Sequence, residues 1–232
     1  MQEKASVVIV AAGSSRRMQG KDKLWLPLAG RVTLAHTLDV FQRSPIIDAI
    51  IVVINPERFN DTRTLCSQED YSKVASIVAG GARRQDSVRI GLDTLALHDA
   101  ACRWVMIHDG ARPFITEDLL ETGLQTTLEH LAAVAAVPVK DTIKQVQNGF
   151  IHATLDRSHL WMIQTPQIFS FPLIQQAHAS PLAQEDVTDD ATLLERMGHR
   201  VAVFPGSYTN IKITTQEDLL FATTLLQGHK DK

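Results

Sequence analysis

Cysteine is scarce: Cys66 and Cys102 are the only two in 232 residues, and neither stands in a CxxC or CxxxH context. That argues against a disulfide framework or a thiolate zinc site and makes a reducing compartment the plain reading. Charge of one sign is missing as well. With 21% charged residues and a formal net charge of -3, the chain has no bulk attraction for a nucleic-acid backbone. No apolar run is long enough to cross a bilayer, and the opening MQEKASVVIV carries one cation, a short apolar run and no small-residue cleavage pattern. With no Arg- and Ser-rich leader either, the expected compartment is the cytoplasm, with neither membrane nor nucleic acid as a partner.

The common catalytic signatures are lacking too. Nine histidines show no HExxH or HxH spacing, and there is no G-x-S-x-G elbow and no D-x-D-x-D-G calcium loop. Hydrolytic triads and protein-held metals are therefore not expected. Both glycine templates for phosphate loops also fail. Gly13 and Gly20 are too far apart for a Walker A loop and Asp22 follows Lys21 where Ser or Thr would hold magnesium, while a dinucleotide fingerprint would need glycine at Ser15 and Met18.

What is present is a chain 44% hydrophobic, long enough for one well-buried core, read as a single domain over residues 1–232. Continuous apolar, β-rich runs recur at SVVIVAAG, AIIVVIN, VASIVAGG, RWVMIHDG and LAAVAAVPV, each ending near Gly, Asn or Pro. Such runs suit strands buried on both faces. Between them, TLAHTLDVFQRS, SVRIGLDTLAL and TEDLLETGLQTTLEHL return apolar residues every three or four positions. The alternation predicts an α/β fold with a doubly wound, mostly parallel sheet. Thr116 before Glu117 and Asp118, and Thr215 three residues before Asp218, read as helix caps.

One stretch breaks the alternation. Between residues 139 and 160, Asn148-Gly149 sits between two β-prone flanks, a strong hairpin signal. A lone two-stranded hairpin is marginal in water, so this one packs either on its own domain or on a second subunit. A protruding arm predicts a homodimer.

The tract VVIVAAGSSRRMQGKDKLWLPL runs from a strand into a small-residue turn and then into cations. Ala11, Ala12, Gly13 and Ser14 let backbone N–H groups approach a ligand at the carboxyl end of a strand, where ligands of open α/β sheets sit. Cations in a first helical turn oppose the helix dipole by roughly 0.3–1 kcal/mol, so Arg16 and Arg17 call for a compensating anion, such as a triphosphate. HDGARP places Asp109, Gly110 and Arg112 at the end of another strand, and GGARRQDS places two glycines before a helix opening near Ser87. A turn carboxylate and a plain strand-to-helix turn are the competing accounts of these two tracts. Arg157, Thr165 and Lys212 are unconvincing taken singly.

Together, AAGSSRRM, KDKLWLPL, GGARRQDSV, HDGARPF, PVKDTIK, DRSHLWMIQTPQIF, VTDDA and GSYTNIKIT resemble the 2-C-methyl-D-erythritol 4-phosphate cytidylyltransferases in order and spacing, from Val7 to about Leu226. Val10 and Ser15 stand where that family has Pro and Gly. The resemblance implies a Rossmann-like nucleotidyltransferase that moves CMP from CTP to a sugar-alcohol phosphate, with Mg²⁺ held mainly by the CTP phosphates. It also implies roles. Arg17 and Lys23 would stabilise the α-phosphate, and Arg157 and Lys212 would hold the acceptor phosphate. Ala11, Ala12, Gly13, Ser14, Gly81 and Ser87 would cradle CTP. Asp109, Arg112, Thr142, Thr165 and Thr188 would face the acceptor, with Thr142 and Arg157 on an arm that serves the neighbouring subunit. Two rivals remain open: a ribitol-5-phosphate cytidylyltransferase and a non-catalytic CTP-binding regulatory module.

Overall fold

The structure, a computed structural model, describes residues 3–13 and 22–230. Its first half runs β1 (Ala5–Ala11), β2 (Pro27–Leu28), β3 (Arg31–Val32), α1 (Thr33–Arg43), β4 (Ile47–Ile54), α2 (Phe59–Gln68), β5 (Val74–Ala79), α3 (Arg84–His98) and β6 (Trp104–Asp109). The second half runs α4 (Glu117–His130), β7 (Ala132–Pro138), β8 (Lys144–Gln147), β9 (Phe150–Thr154), β10 (Trp161–Ser170), α5 (Phe171–Ala179), α6 (Ala191–Arg196), β11 (Ala202–Pro205) and α7 (Gln216–Lys230).

Seven strands form one sheet in the order β11-β7-β10-β6-β1-β4-β5. Only β10 runs against its neighbours; every other pairing is parallel. Helices cover both faces, which is why β1 is apolar at successive positions rather than alternate ones. Val7 and Ile9 pack into the layer containing Leu34, Leu38 and Phe41 of α1, while Val8 packs into the opposite layer with Val88, Leu92 and Leu95 of α3. The five runs anticipated as strands are β1, β4, β5, β6 and β7. The three anticipated helices are α1, α3 and α4, although α3 opens at Arg84 rather than near Ser87.

The caps form as expected. Thr116 Oγ1 accepts the Leu119 N–H at 3.3 Å, and Thr215 Oγ1 accepts the Asp218 N–H while Asp218 Oδ2 accepts the Thr215 N–H at 2.8 Å. The hairpin forms as well: Asn148 and Gly149 take φ of 52° and 82°, as a tight turn twisted to match its strands requires. β8 and β9 pair only with each other among the described strands. Their base is tied to the sheet where the Val139 N–H donates to Leu160 O at 2.9 Å and Tyr208 Oη donates to Pro138 O at 2.7 Å.

Candidate active site

The carboxyl ends of β1, β5 and β6 are drawn together by small residues. Gly80 donates to Ile54 O and Gly110 to Val10 O, both at 2.9 Å. A methyl group on Gly80 would strike Ala12 Cβ and the Ser87 hydroxyl, so the turn after β5 can lie against the turn after β1 only without a side chain there. Ser87 Oγ accepts the Gly81 N–H at 3.0 Å and donates to Arg83 O at 3.2 Å, fixing the loop that opens α3. Lys23 is placed from the other side. Asp22 O accepts the Trp25 N–H, Leu24 is buried, and the Asp22 carboxylate meets Arg58, whose guanidinium lies 5.5 Å from the Trp25 ring centre.

These turns enclose a cavity of about 450 Å³ whose walls include Ala11, Ala12, Gly13, Lys23, Gly81 and Ser87. Beside it lies a second cavity of about 280 Å³, with Arg112, Gln164, Thr165, Gln167 and Thr188 in its wall. Arg84, Asp109 and Lys212 line both. Asp109 and Lys212 thus stand at the boundary between the two spaces, not on one side of it. A larger groove of about 660 Å³ runs between α3 and α5, but lacks this convergence of strand ends and cations.

The boundary is a compact set of charges. Asp109 is 6% exposed. Its Oδ1 meets Arg84 Nε at 3.3 Å, and its Oδ2 meets Lys212 Nζ at 2.8 Å and Arg112 Nε at 3.6 Å. Burial alone would push the carboxyl pKa up, but Arg84 and Lys212 outweigh it and hold Asp109 well below the ordinary carboxylate range. Arg84 is half-buried and its desolvation opposes its charge, yet Asp190 and Asp109 raise its pKa above the usual arginine value. Arg112 is shifted down, chiefly by burial, and its Nη1 donates to Asn210 O at 2.8 Å.

Several groups hold this set in place. Thr165 Oγ1 accepts the Asp109 N–H at 3.1 Å, so its hydroxyl anchors the end of β6. Asn210, fully buried, donates to Thr165 O at 2.9 Å, and Gln164 Nε2 donates to Ser207 O at 2.7 Å; between them they seat the segment that delivers Lys212. His108 lies behind Asp109, its Nε2 3.1 Å from Arg112 O and its ring edge-on to Phe41 at 5.1 Å. Burial lowers its pKa to about 4, so it is a neutral structural residue at pH 7.

Of the residues singled out in the sequence, Ala11, Ala12, Gly13, Lys23, Gly81 and Ser87 meet in the larger of the paired cavities and Arg112, Thr165 and Thr188 in the smaller. Thr142 and Arg157 do not join them in one chain. Both are exposed at the arm, line neither cavity, and Arg157 donates to Lys140 O at the arm's own base. Ser14, Ser15, Arg16 and Arg17 lie outside the described residues. Arg84, Asp190, Gln167 and Asn210 carried no assigned role in the sequence. Arg84 had a legible signal: a cation at the first position of α3 opposes the helix dipole and needs an anion, which Asp109 and Asp190 supply.

Among the described residues no three or more His, Cys, Asp or Glu side chains gather as a metal cage. Asp109, the carboxylate common to both cavities, has both oxygens engaged by cations. A divalent ion carried by a ligand's own phosphates would fit against this cation-lined wall.

A family profile described as 2-C-methyl-D-erythritol 4-phosphate cytidylyltransferase matches residues 5–228. Proteins named 2-C-methyl-D-erythritol 4-phosphate cytidylyltransferase from Dehalococcoides mccartyi and Syntrophotalea carbinolica are 46% and 49% identical to the chain, covering 98% and 97% of both partners respectively. The crystal structure of the 4-diphosphocytidyl-2C-methyl-D-erythritol synthase from Anaerococcus prevotii superposes with a TM-score of 0.85 at 34% identity, over 97% of this chain and 96% of that one. The cytidylyltransferase structure from Thermus thermophilus gives 0.78 at 28% identity, over 97% and 100%.

Proposed function

The chain belongs to the 2-C-methyl-D-erythritol 4-phosphate cytidylyltransferases, and from that membership we infer how its two joined cavities divide the reaction. The enzyme is a nucleotidyltransferase that transfers CMP from CTP to 2-C-methyl-D-erythritol 4-phosphate, yielding 4-diphosphocytidyl-2-C-methyl-D-erythritol and pyrophosphate in isoprenoid precursor synthesis. We propose that the cavity bounded by Ala11, Ala12, Gly13, Gly81 and Ser87 takes CTP and that the one bounded by Arg112, Thr165 and Thr188 takes the acceptor. The observation that carries this division is the shared wall of Arg84, Asp109 and Lys212. Two phosphates must approach each other there, and cations lie on both sides of the approach.

In this reading an oxygen of the acceptor phosphate attacks the α-phosphorus, the bond to the β-phosphate oxygen breaks, and pyrophosphate leaves with the electron pair. A phosphate monoester is already anionic near neutral pH, so no general base has to take a proton. Catalysis rests on positioning and on neutralising a crowded anionic transition state. Lys23 stabilises charge on the α-phosphate, a role that Arg17 shares. Lys212 holds the acceptor phosphate, and Asp109 keeps that lysine at the boundary. Ser14 joins the nucleotide cradle. Mg²⁺, held mainly by the CTP phosphates, supplies further charge neutralisation when bound.

The arm supports a homodimer in which Thr142 and Arg157 complete the acceptor site of the neighbouring subunit. Val146, Phe150 and Ile151 on the arm are 58%, 78% and 67% exposed, more apolar surface than a free hairpin would leave in water. No helix among the described residues is long and apolar enough to cross a membrane. The acceptor is tested by pyrophosphate release from CTP with 2-C-methyl-D-erythritol 4-phosphate and with ribitol 5-phosphate, each with and without Mg²⁺. Faster release with the ribitol ester would overturn the acceptor, CTP binding without release would overturn the reaction, and full rates in chelator would remove Mg²⁺.

A further inference from the structure

We propose that Asp190 is a positioning residue for the acceptor phosphate, acting through Arg84 and Asp109 on Lys212. The groups form a row of alternating charge: Asp190 Oδ2 to Arg84 Nη1 at 2.8 Å, Arg84 Nε to Asp109 Oδ1 at 3.3 Å, and Asp109 Oδ2 to Lys212 Nζ at 2.8 Å. Asp190 is fully buried and lines neither cavity, so its influence on substrate passes through Arg84. It is fixed from behind. Its amide and that of Ala191 donate to Gln167 Oε1 at 3.1 Å, and its other carboxylate oxygen faces His178 Nε2 at 3.2 Å.

The row matters because Lys212 has two claims on it, Asp109 and the arriving phosphate. Were Lys212 the only cation on Asp109, drawing it to the phosphate would strand a buried carboxylate, which is strongly unfavourable. Arg84 on the opposite oxygen, with Arg112 nearby, keeps Asp109 compensated while Lys212 turns to its ligand. Arg84 can do so only while its other end is held. Its fork spans two carboxylates, a geometry that the point charge of a lysine does not reproduce. Arg84 also lines the nucleotide cavity. Without the charge of Asp190 it is drawn toward the triphosphate, Asp109 keeps Lys212, and acceptor binding weakens while CTP binding does not.

This inference rests on Lys212 holding the acceptor phosphate. The test is steady-state kinetics of the full-length enzyme with each substrate varied in turn, together with the melting temperature. Asp190→Asn is expected to raise the acceptor KM about tenfold, equivalent to about 1.4 kcal/mol, with kcat and the CTP KM within about twofold. Arg84→Lys is expected to raise the acceptor KM at least as much, and the double variant's acceptor KM to be no higher than that of the worse single one, because both changes interrupt one row. An unchanged acceptor KM in Asp190→Asn, whatever its melting temperature, overturns the proposal, and so do effects that multiply in the double variant. If Asp190→Asn does not fold, Arg84→Lys decides alone: an unchanged acceptor KM there overturns the proposal equally. Lys212→Ala separates the two readings. A raised acceptor KM in Lys212→Ala with none in Asp190→Asn sinks only the row, whereas an unchanged KM in Lys212→Ala removes the acceptor-site assignment and the row with it.

Discussion

Gly80 stands back to back with Ala12, which lies in the wall of the larger of the paired cavities, so close that a methyl group on Gly80 would fall within the Ala12 side chain. The contact joins the turn after β5 to the turn after β1, and no flexible group is present to absorb an intrusion. Gly80→Ala is therefore expected to cost about 1–3 kcal/mol as overpacking and to raise the CTP KM more than the acceptor KM. Chemical denaturation and kinetics with each substrate varied check both. A CTP KM equal to that of the parent would show that the turn does not seat the nucleotide.

Lys23 lies in the wall of the same cavity. If it neutralises charge on the α-phosphate, Lys23→Ala lowers kcat by about 10²- to 10³-fold with much less effect on the CTP dissociation constant. Single-turnover rates and equilibrium CTP binding separate the two quantities. An unaltered rate would remove Lys23 from the mechanism.

The arm predicts sharing between subunits. Arg157→Ala and Lys23→Ala homodimers are each expected to be nearly inactive, and a mixture that exchanges subunits should regain about one quarter to one half of parental activity. Phe150→Asp, which places charge on the most exposed apolar side chain of the arm, should shift the protein toward monomer in sedimentation. Mixed subunits that exchange but recover no activity would show that the arm serves its own chain.

His108 yields a prediction about acid stability. Its folded pKa, about 4, lies below the ordinary 6.5. As pH falls below 6.5 the unfolded chain gains a proton that the folded chain does not take up until about pH 4, so stability is full above that window and declines through it. The loss should approach about 3 kcal/mol. Asp109 and Asp190, whose pKa values are depressed, add losses only below the ordinary carboxylate value of 3.8, under this window. His108→Gln, which keeps a donor for Arg112 O, should flatten the urea midpoint between pH 6.5 and 4. A slope equal to the parental one would place the acid sensitivity elsewhere.

The sequence by itself determined the elements whose causes are local. Continuous apolar runs mark β1, β4, β5, β6 and β7 because strands covered on both faces need no polar side; Thr116 and Thr215 mark helix starts; Asn148-Gly149 marks the hairpin because both residues accept positive φ. The strand β10 was not legible, since Gln164, Pro166 and Gln167 interrupt its apolar pattern and a proline inside a run speaks against an inner strand. Helix α2 was missed because it buries only Thr62 and has no apolar stripe to read. Among the residues singled out, Gly81 and Asp109 could be picked out because each follows or ends a recognisable run, whereas Lys212 stood out only through the family resemblance. Which of them meet was decided only by the tertiary structure. Arg84 and Asp190 are 106 positions apart, and His178 reaches Asp190 from another helix. An ion pair leaves no periodicity in the chain: two charges become partners only when the sheet order carries their elements to one edge and burial removes the water that would otherwise separate them.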